Sequence, residues 1–366
     1  MMLGWDDVYK VVVSMFPLYV ALMLGYGSVK WWRLFTHEQC DGINRFIALF
    51  ILPLFGFEFT AHMNPYAMNF GLLAADALSK LTTLAVLALW GRFSSRASYS
   101  WCITTFSLCT LTNLLIVGVP VMRAMYGQWG VDLVVQLCML QSLVWIPLLL
   151  LFLEFRKTRV TDLAAPPSSP PPENNGVADE DRDVETSAAD ASEGGDDHPE
   201  KRSYWSFARV VWMKMATNPN VYANVLGLAW ALMASRFKFT MPSIMEGSVE
   251  IMSKAGTGTA MFNIGIFIAM QTKVIACGTG PTVLGMVSRF LVGPAIMALC
   301  SLAVGLHGPA LRVAIIQAAL PQAIASFVFA NEYGLHANVL GLAVVFGTVI
   351  SLPLLIGYYI GLEYAA

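Results

Sequence analysis

The chain carries little charge for its length. Charged residues make up 13% of the 366 residues, whereas a typical soluble domain carries about 25%. Hydrophobic residues make up 57%, and the mean hydropathy is +0.62. This composition excludes an ordinary soluble protein and predicts an all-α polytopic membrane protein.

The chain also lacks the motifs of common enzyme and metal sites. It contains no H-E-x-x-H, G-x-S-x-G or Walker A sequence, and its five histidines are scattered. None of the six cysteines forms a C-x-x-C pair, so we interpret most of them as small core residues. We therefore expect no enzymatic activity, no cofactor and no metal site.

Ten apolar segments are candidates for membrane spans, each of which takes about 20 helical residues. The first follows an acidic N-terminus and is expected to act as an uncleaved signal anchor. The approximate bounds of the ten spans are Val8–Gly27, Asp41–Thr60, Gly71–Trp90, Trp101–Met125, Val131–Phe155, Pro219–Arg236, Pro242–Gln271, Pro281–Val304, Ala310–Phe329 and Val339–Leu362.

A hydrophilic segment separates two groups of five spans. Residues 173–200 hold eleven Asp and Glu against one Arg. Such a segment buries no core, so we predict a disordered acidic linker over residues 156–202, between repeats at residues 1–155 and 203–366. Lys and Arg are concentrated in the loops on the side of this linker. The linker is therefore expected to be cytoplasmic, with both termini facing the lumen or the outside.

Two short matches at one offset indicate that the halves are repeats. Leu111-Thr112-Asn113 matches Leu320-Pro321-Gln322, and Ser79-Lys80-Leu81 matches Ser288-Arg289-Phe290, both at an offset of 209 residues. Because five spans is an odd number, the second half inserts inverted relative to the first. Interrupted helices at corresponding positions of two inverted halves are typical of the binding sites of secondary transporters.

Spans four and nine contain residues that interrupt a helix. Pro321 lacks an N–H group and clashes with the preceding turn. The half-helix after it would point partial positive charge at the bilayer midplane, where it can hold an anion. In span four the matching residue is Thr112, which bends a helix weakly, and Gly118 and Pro120 offer a break one to two turns later. The alternative is that both spans contain ordinary proline kinks.

Polar residues inside the spans are candidates for a ligand site. Asn113 and Gln141 carry amides that hydrogen-bond either a ligand or a neighbouring helix. Asp76 and Lys80 are four residues apart on span three and share a helix face. They form either a charged site coupled to an anion or a structural ion pair, unless Lys80 extends to an interface. Arg289, the counterpart of Lys80, has no acid four residues before it.

Motifs spread over both halves resemble those of one known family. These are Leu34–Phe46, Asn64–Tyr66, Asn113–Pro120, Leu140–Trp145, Asn218–Tyr222, Gly258–Phe262, Ile275–Gly278, Ala318–Gln322 and Phe327–Tyr333. Together they resemble the plant PIN-FORMED auxin efflux carriers over almost the whole chain apart from the linker. The short linker is similar to that of the short-loop branch, which implies the endoplasmic reticulum membrane rather than a polar plasma membrane.

The resemblance implies a fold and a function. It implies a homodimer of ten-span protomers with the elevator fold also found in bile-acid symporters and sodium–proton antiporters. Spans 1, 2, 6 and 7 would form a scaffold domain, and spans 3–5 and 8–10 a transport domain in which spans four and nine cross at prolines. Its elevator movement would carry anionic indole-3-acetate without a sodium gradient. The serine and threonine residues of the linker are available to kinases.

The resemblance also assigns roles to individual residues. Asn113 matches a carboxylate-binding asparagine, and Gln141 matches a glutamine of span five. The expected substrate-binding residues are Leu52, Gly56, Asn113, Ile116, Gln141 and Ile324, the expected support site is Asp76 with Lys80, and the expected crossover residues are Thr112, Pro120, Pro321 and Gln322.

Three positions depart from the family pattern. Thr112 stands where the family has the crossover proline of span four, which affects the depth of the break. Gly56 replaces a pocket serine and loses a hydroxyl contact with the ligand. Ala323 replaces a glycine that follows the second crossover and narrows the space there.

Two other functions are compatible with these residues. A non-transporting receptor or scaffold would bind auxin and signal through its linker, a hypothesis that Thr112 favours. A cation-coupled organic anion symporter of the bile-acid type would require clustered carboxylates and a carbonyl-lined ion site, and the sequence displays neither.

Overall fold

The computed structural model describes residues 5–94, 98–164, 218–270 and 279–364, together with positions 209, 212, 213 and 216. Most of the predicted linker, including its candidate phosphorylation sites, lies outside the described residues. The helices α1 to α14 are Trp5–Lys30, His37–Phe46, Leu52–Ala61, Phe70–Phe93, Tyr99–Thr110, Val119–Leu140, Ile146–Ala164, Pro219–Phe237, Ser243–Met270, Thr279–Val287, Gly293–Val304, Gly308–Ala318, Ile324–Glu332 and Ala337–Tyr364. Within the described ranges there is no β-strand, so the prediction of an all-helical chain is confirmed there.

Six stretches of the described residues are long and apolar enough to cross a membrane. They are Tyr9–Lys30, His37–Ala61, Phe70–Phe93, Leu114–Lys157, Gly280–Val304 and Ala337–Tyr364. This confirms a polytopic membrane protein. The predicted sixth and seventh spans correspond to α8 and α9, and the predicted ninth corresponds to α12 with α13. These three are helical but are not among the six, so the count of ten spans stays a prediction.

Two of the predicted span boundaries, both next to span five, can be compared with the helices. Helix α7 continues to Ala164, nine residues beyond the predicted end of span five at Phe155. Helix α6 is kinked at Gly127, whose φ of +64° is accessible to glycine at little cost. The predicted boundary between spans four and five falls at this residue.

Four π-helical turns interrupt the α-helical pattern of the residues that the structure describes. They are Ile47–Ile51 before α3, Leu114–Gly118 before α6, Gln141–Trp145 between α6 and α7, and Ser288–Val292 between α10 and α11. Such turns are rare and occur often at functional sites, because they change the direction of the side chains that follow. Three of the four contain or border a residue that the sequence marks as a candidate.

The helices pack in two groups. Helix α1 packs mainly against α9, and α3 packs against α8 and α9. Helix α4 packs against α5 and α11, and α14 packs against α10 and α13. The α1–α9 contact is close because Gly25 and Gly265 face the partner backbone, where a Cβ atom would meet the carbonyl oxygens of Phe262 and Leu22. Small residues allow this approach between helices in membranes.

Candidate ligand site at two interrupted helices

Two helices are interrupted and meet at their interruptions. Helix α5 ends at Thr110 and helical structure resumes at Leu114; α12 ends at Ala318 and α13 begins at Ile324. The extended segments between them form one antiparallel backbone pair, Thr112 with Gln322. The hydrogen bonds of this pair are made by the neighbours of Thr112 and Gln322 and not by those two residues themselves. The two breaks are therefore joined by backbone hydrogen bonds.

The backbone bonds of this pair are short. The N–H of Asn113 donates to the carbonyl of Pro321 at 2.9 Å, and the N–H of Ala323 donates to the carbonyl of Leu111 at 3.1 Å. Neither the missing N–H of Pro321 nor the N–H of Thr112 takes part. The backbone pair is therefore compatible with a residue that lacks an N–H group at position 112 as well as at position 321.

Gln141 satisfies the backbone of Thr112. Its Oε1 accepts from the N–H of Thr112 at 3.2 Å, and its Nε2 donates to the carbonyl of Thr112 at 2.8 Å. Both residues are buried. Thr112 thus retains an N–H that a proline would not have, and the Gln141 side chain pairs it. The break in the helix falls at Thr112 itself, while Pro120 lies in the first turn of α6, where the helix is continuous.

Asn113 has a buried donor without a partner. The residue is 6% exposed, and its Nδ2 atom has no hydrogen-bond partner among the described residues. On the opposite segment, Gln322 donates from Nε2 to the Ser326 hydroxyl at 2.6 Å, but its Oε1 is likewise unpaired in the described part of the chain. Leaving a buried polar atom unpaired costs about 1–3 kcal/mol. These amides are therefore placed to bind a polar ligand group.

The half-helices that follow the breaks begin without side-chain caps. Asn113 and Ala323 are the N-cap residues, and neither side chain accepts a bond from the first turn. The start of a helix carries a partial positive charge of roughly half an elementary charge. Two such ends near one centre favour an anion, as helix N-termini commonly do.

Apolar side chains surround this centre. Ile116 is 5% exposed and belongs to the largest buried cluster, and Leu52, Leu115 and Ile324 pack against that cluster half-buried. Gly56 also faces it: a Cβ atom there would lie 4.0 Å from Leu115. These residues offer an apolar surface to a ring beside the polar amides.

Sequence reasoning missed Asn224 in this region. A Cβ atom on Gly56 would lie 3.3 Å from the Oδ1 of Asn224, which accepts from the Thr60 hydroxyl at 3.3 Å. The amide of Asn224 thus lies directly beside Gly56. The signal was available, because a buried asparagine in an apolar segment is expensive and usually functional.

Asp76 and Lys80 form a buried ion pair. The ammonium of Lys80 donates to Oδ2 of Asp76 at 2.8 Å, and the side chains are 5% and 3% exposed. Trp145, in the π-turn that begins at Gln141, donates its indole N–H to the same oxygen at 3.2 Å. The Lys80 ammonium also lies 5.2 Å from the Trp145 ring centre, within cation–π range. The pair is therefore held by a residue next to the interrupted helices.

Interrupted apolar helices that meet at a buried polar centre define the class of this protein as a membrane transporter rather than an enzyme. The sequence profile of a family described as membrane transport protein matches residues 10–359. The chain is 54% identical over 366 residues to auxin efflux carrier component 5 of Arabidopsis thaliana, covering 99% of both. It is 53% identical to probable auxin efflux carrier component 5a of Oryza sativa subsp. japonica, again covering 99% of both. It is 36% identical over 374 residues to auxin efflux carrier component 8 of Arabidopsis thaliana, covering 99% of this chain and all of the relative. The chain belongs to the auxin efflux carrier family, in its short-loop branch.

Proposed function

We propose that the protein carries anionic indole-3-acetate across a membrane and binds its carboxylate at Asn113. The observation that carries this proposal is the buried, unpaired Nδ2 donor of Asn113 at the start of a half-helix. A carboxylate has the acceptor atoms that this donor lacks. The names of the relatives support auxin as the substrate, because each is described as an auxin efflux carrier.

The surroundings of Asn113 suit an aromatic carboxylate. The N-termini at Leu114 and Ile324 supply positive potential without a buried Arg or Lys in contact with the ligand. Ile116, Ile324 and Leu52 cover the indole ring, and the amide of Asn224 replaces the hydroxyl missing at Gly56 as a partner for the indole N–H. Hydrogen bonds to a charged group contribute about 1.5–3 kcal/mol each.

Gln141 and the Asp76–Lys80 pair position this site. Because both polar atoms of Gln141 bond the backbone of Thr112, we assign it the role of holding the first break open. Asp76 and Lys80 connect to the same π-turn through Trp145 and support it there. The crossover residues are then Thr112, Pro321 and Gln322, and Pro120 starts the helix that follows.

We further propose that transport is a gradient-independent elevator movement in a ten-span inverted repeat. The close packing of α1 and α3 on α8 and α9 supports a scaffold of spans 1, 2, 6 and 7. The remaining helices, joined by the backbone pair at the breaks, would move as the transport domain. The assembly would be a homodimer in the endoplasmic reticulum membrane, with the linker cytoplasmic, open to kinases, and the termini lumenal.

The binding of indole-3-acetate to purified protein tests the site. Replacing Asn113→Ala removes one bond to a charged group, so affinity should fall roughly 10- to 100-fold. Asn263→Ala is the matched control, because that exposed amide already bonds the Asn44 side chain at 2.8 Å. Melting temperatures of both variants establish that they fold. Equal affinities of the folded Asn113→Ala variant and the parent would overturn the assignment.

A further inference from the structure

The guanidinium of Arg289 is buried where both interrupted helices end. Arg289 lies in the π-turn Ser288–Val292 between α10 and α11 and is 0% exposed. Its hydrogen-bond partners in the described ranges are backbone carbonyl oxygens, and none is a carboxylate. A fully buried charge without an acidic partner is expensive, so another negative group must compensate it.

The compensating groups are the C-terminal ends of α5 and α12. Arg289 donates to the carbonyls of Leu108 at 2.9 Å and Leu111 at 3.2 Å, and to those of Ala318 at 2.7 Å and Leu320 at 2.8 Å. Leu111 and Leu320 are equivalent residues of the two matched motifs. One side chain therefore binds corresponding atoms of both breaks.

The charges at this point balance. The C-terminus of a helix carries roughly minus half an elementary charge, so two such ends together carry about one negative charge. The guanidinium carries one positive charge and is never neutral in proteins. Four of its five N–H groups are used by the four carbonyls. In secondary transporters, half-helix C-termini and unwound carbonyls are the groups that coordinate a coupling sodium ion.

We infer that Arg289 is a fixed cation that occupies the carbonyl site at the ends of α5 and α12, where a cation-coupled transporter would bind a mobile ion. The other buried cation nearby, Lys80, is neutralised by Asp76 at 2.8 Å and does not serve the helix ends. A cavity of about 10 Å³ beside them, lined by Lys80, Thr110 and Gln317, holds about one water. It leaves no room for a hydrated ion.

This role makes Arg289 a positioning residue. It neutralises the negative ends of the half-helices, so the positive ends at Leu114 and Ile324 act on an anion without opposition. It also ties the two breaks to α10 and α11, which fixes their spacing. The part of the inference that concerns ligand affinity rests on the proposed function; the part that concerns the cation site does not.

The test compares Arg289→Ala, Arg289→Gln and Arg289→Lys in sodium-free choline buffer, with melting temperature as the first readout. Lysine keeps the charge and up to three donors, whereas glutamine keeps donors without charge. We expect the parent to have the highest melting temperature, the Arg289→Lys variant a lower one and the Arg289→Gln variant a lower one still. Adding sodium, or guanidinium at low millimolar concentration, should raise it for the Ala and Gln variants and leave the parent unchanged. Exposed Arg236→Ala is the control for the loss of an arginine.

Affinity for indole-3-acetate is the second readout. In choline the Arg289→Gln variant should bind about tenfold more weakly than the parent, which corresponds to roughly 1.4 kcal/mol, and the added cation should restore part of the loss. Equal melting temperatures of the Lys and Gln variants, or variants that fold but ignore added cations, would overturn the inference. If Arg289→Ala does not fold, the comparison of Arg289→Lys with Arg289→Gln tests the inference. A parent that does not bind auxin refutes the proposed function, while the melting temperatures still test the cation site.

Discussion

The pairing of Thr112 with Gln141 predicts how the chain tolerates a threonine at the first break. In the structure the side chain of Gln141 bonds both the N–H and the carbonyl of Thr112. If this is the reason that Thr112 is tolerated, the stability lost through Gln141→Leu must depend on whether residue 112 is threonine or proline. A double-mutant cycle measures that dependence.

Two features of the backbone around position 112 are compatible with proline. The residue before a proline is restricted to extended conformations, and Leu111 is already extended, with φ of −93° and ψ of 110°. The backbone pair between the breaks uses the N–H groups of Asn113 and Ala323, so a proline at 112 removes no bond from it. The lost bond is the one to Gln141 alone.

The magnitudes follow from the atoms that each change leaves unpaired. In the parent, Gln141→Leu leaves the N–H of Thr112 buried and unpaired, at a cost of about 1–3 kcal/mol, and removes a second bond of about 1 kcal/mol. The carbonyl of Thr112 keeps a partner, because Leu114 donates to it at 3.0 Å. In the Thr112→Pro background residue 112 has no N–H group that could lose its partner, so Gln141→Leu costs only about 1 kcal/mol. We expect a coupling of about 1–3 kcal/mol.

Melting temperatures of the four proteins in one detergent provide the assay. Thr112→Pro alone should be mildly destabilising, because it leaves the Gln141 Oε1 atom without a hydrogen-bond partner. Part of this loss is offset, because proline lowers the entropy of the unfolded chain and so stabilises the protein by about 0.4–1 kcal/mol. The double variant should melt close to Thr112→Pro and well above the temperature expected if the losses added. Additive losses would refute the reasoning, since they would mean that Gln141 does not act through the N–H of Thr112.

Two further predictions concern the packing of α1 on α9 and the turn before α14. The Gly265→Ala variant should melt far below the parent, because the added methyl meets the carbonyl of Leu22. The Gly258→Ala variant, changed on an open face of the same helix, should melt no lower than the parent. Similar losses in the two variants would contradict the close α1–α9 contact. Burial and then the charge of Arg156 lower the pKa of His336, in the turn before α14, below its ordinary value. The folded protein therefore favours the neutral form of the His336 ring. The stability that this contributes is fully present above pH about 6.5 and is lost as the pH falls through the lowered pKa. The parent should lose more stability on acidification than His336→Gln, and parallel pH profiles would contradict this.

The sequence predicts the position of the breaks better than their chemistry. Residues matched at one offset point to Thr112 and Pro321, because a proline or a polar pair at the same place in two repeated halves favours a break there. Asp76 and Lys80 follow from helical spacing, and they do form an ion pair at 2.8 Å. These features depend on local periodicity, which a single sequence contains.

The partners of these residues depend on contacts that local patterns do not encode. Trp145 reaches Asp76 because a π-turn rotates the middle of span five, and no sequence signal marks that turn. Arg289 could be recognised as a cation without an acid four residues before it, but its partners are backbone carbonyls. Every residue has a carbonyl, so only the tertiary structure identifies the ones that bind it.

The efflux of radiolabelled indole-3-acetate from loaded proteoliposomes tests the central claim most directly. Vesicles with the parent or with Asn113→Ala are compared without sodium and without a pH gradient, and then with each. We predict flux from the parent under all three conditions, no added flux with either gradient, and a large loss in Asn113→Ala. Flux that requires sodium would indicate a cation-coupled symporter. Saturable binding without flux in the parent would contradict transport and indicate a receptor.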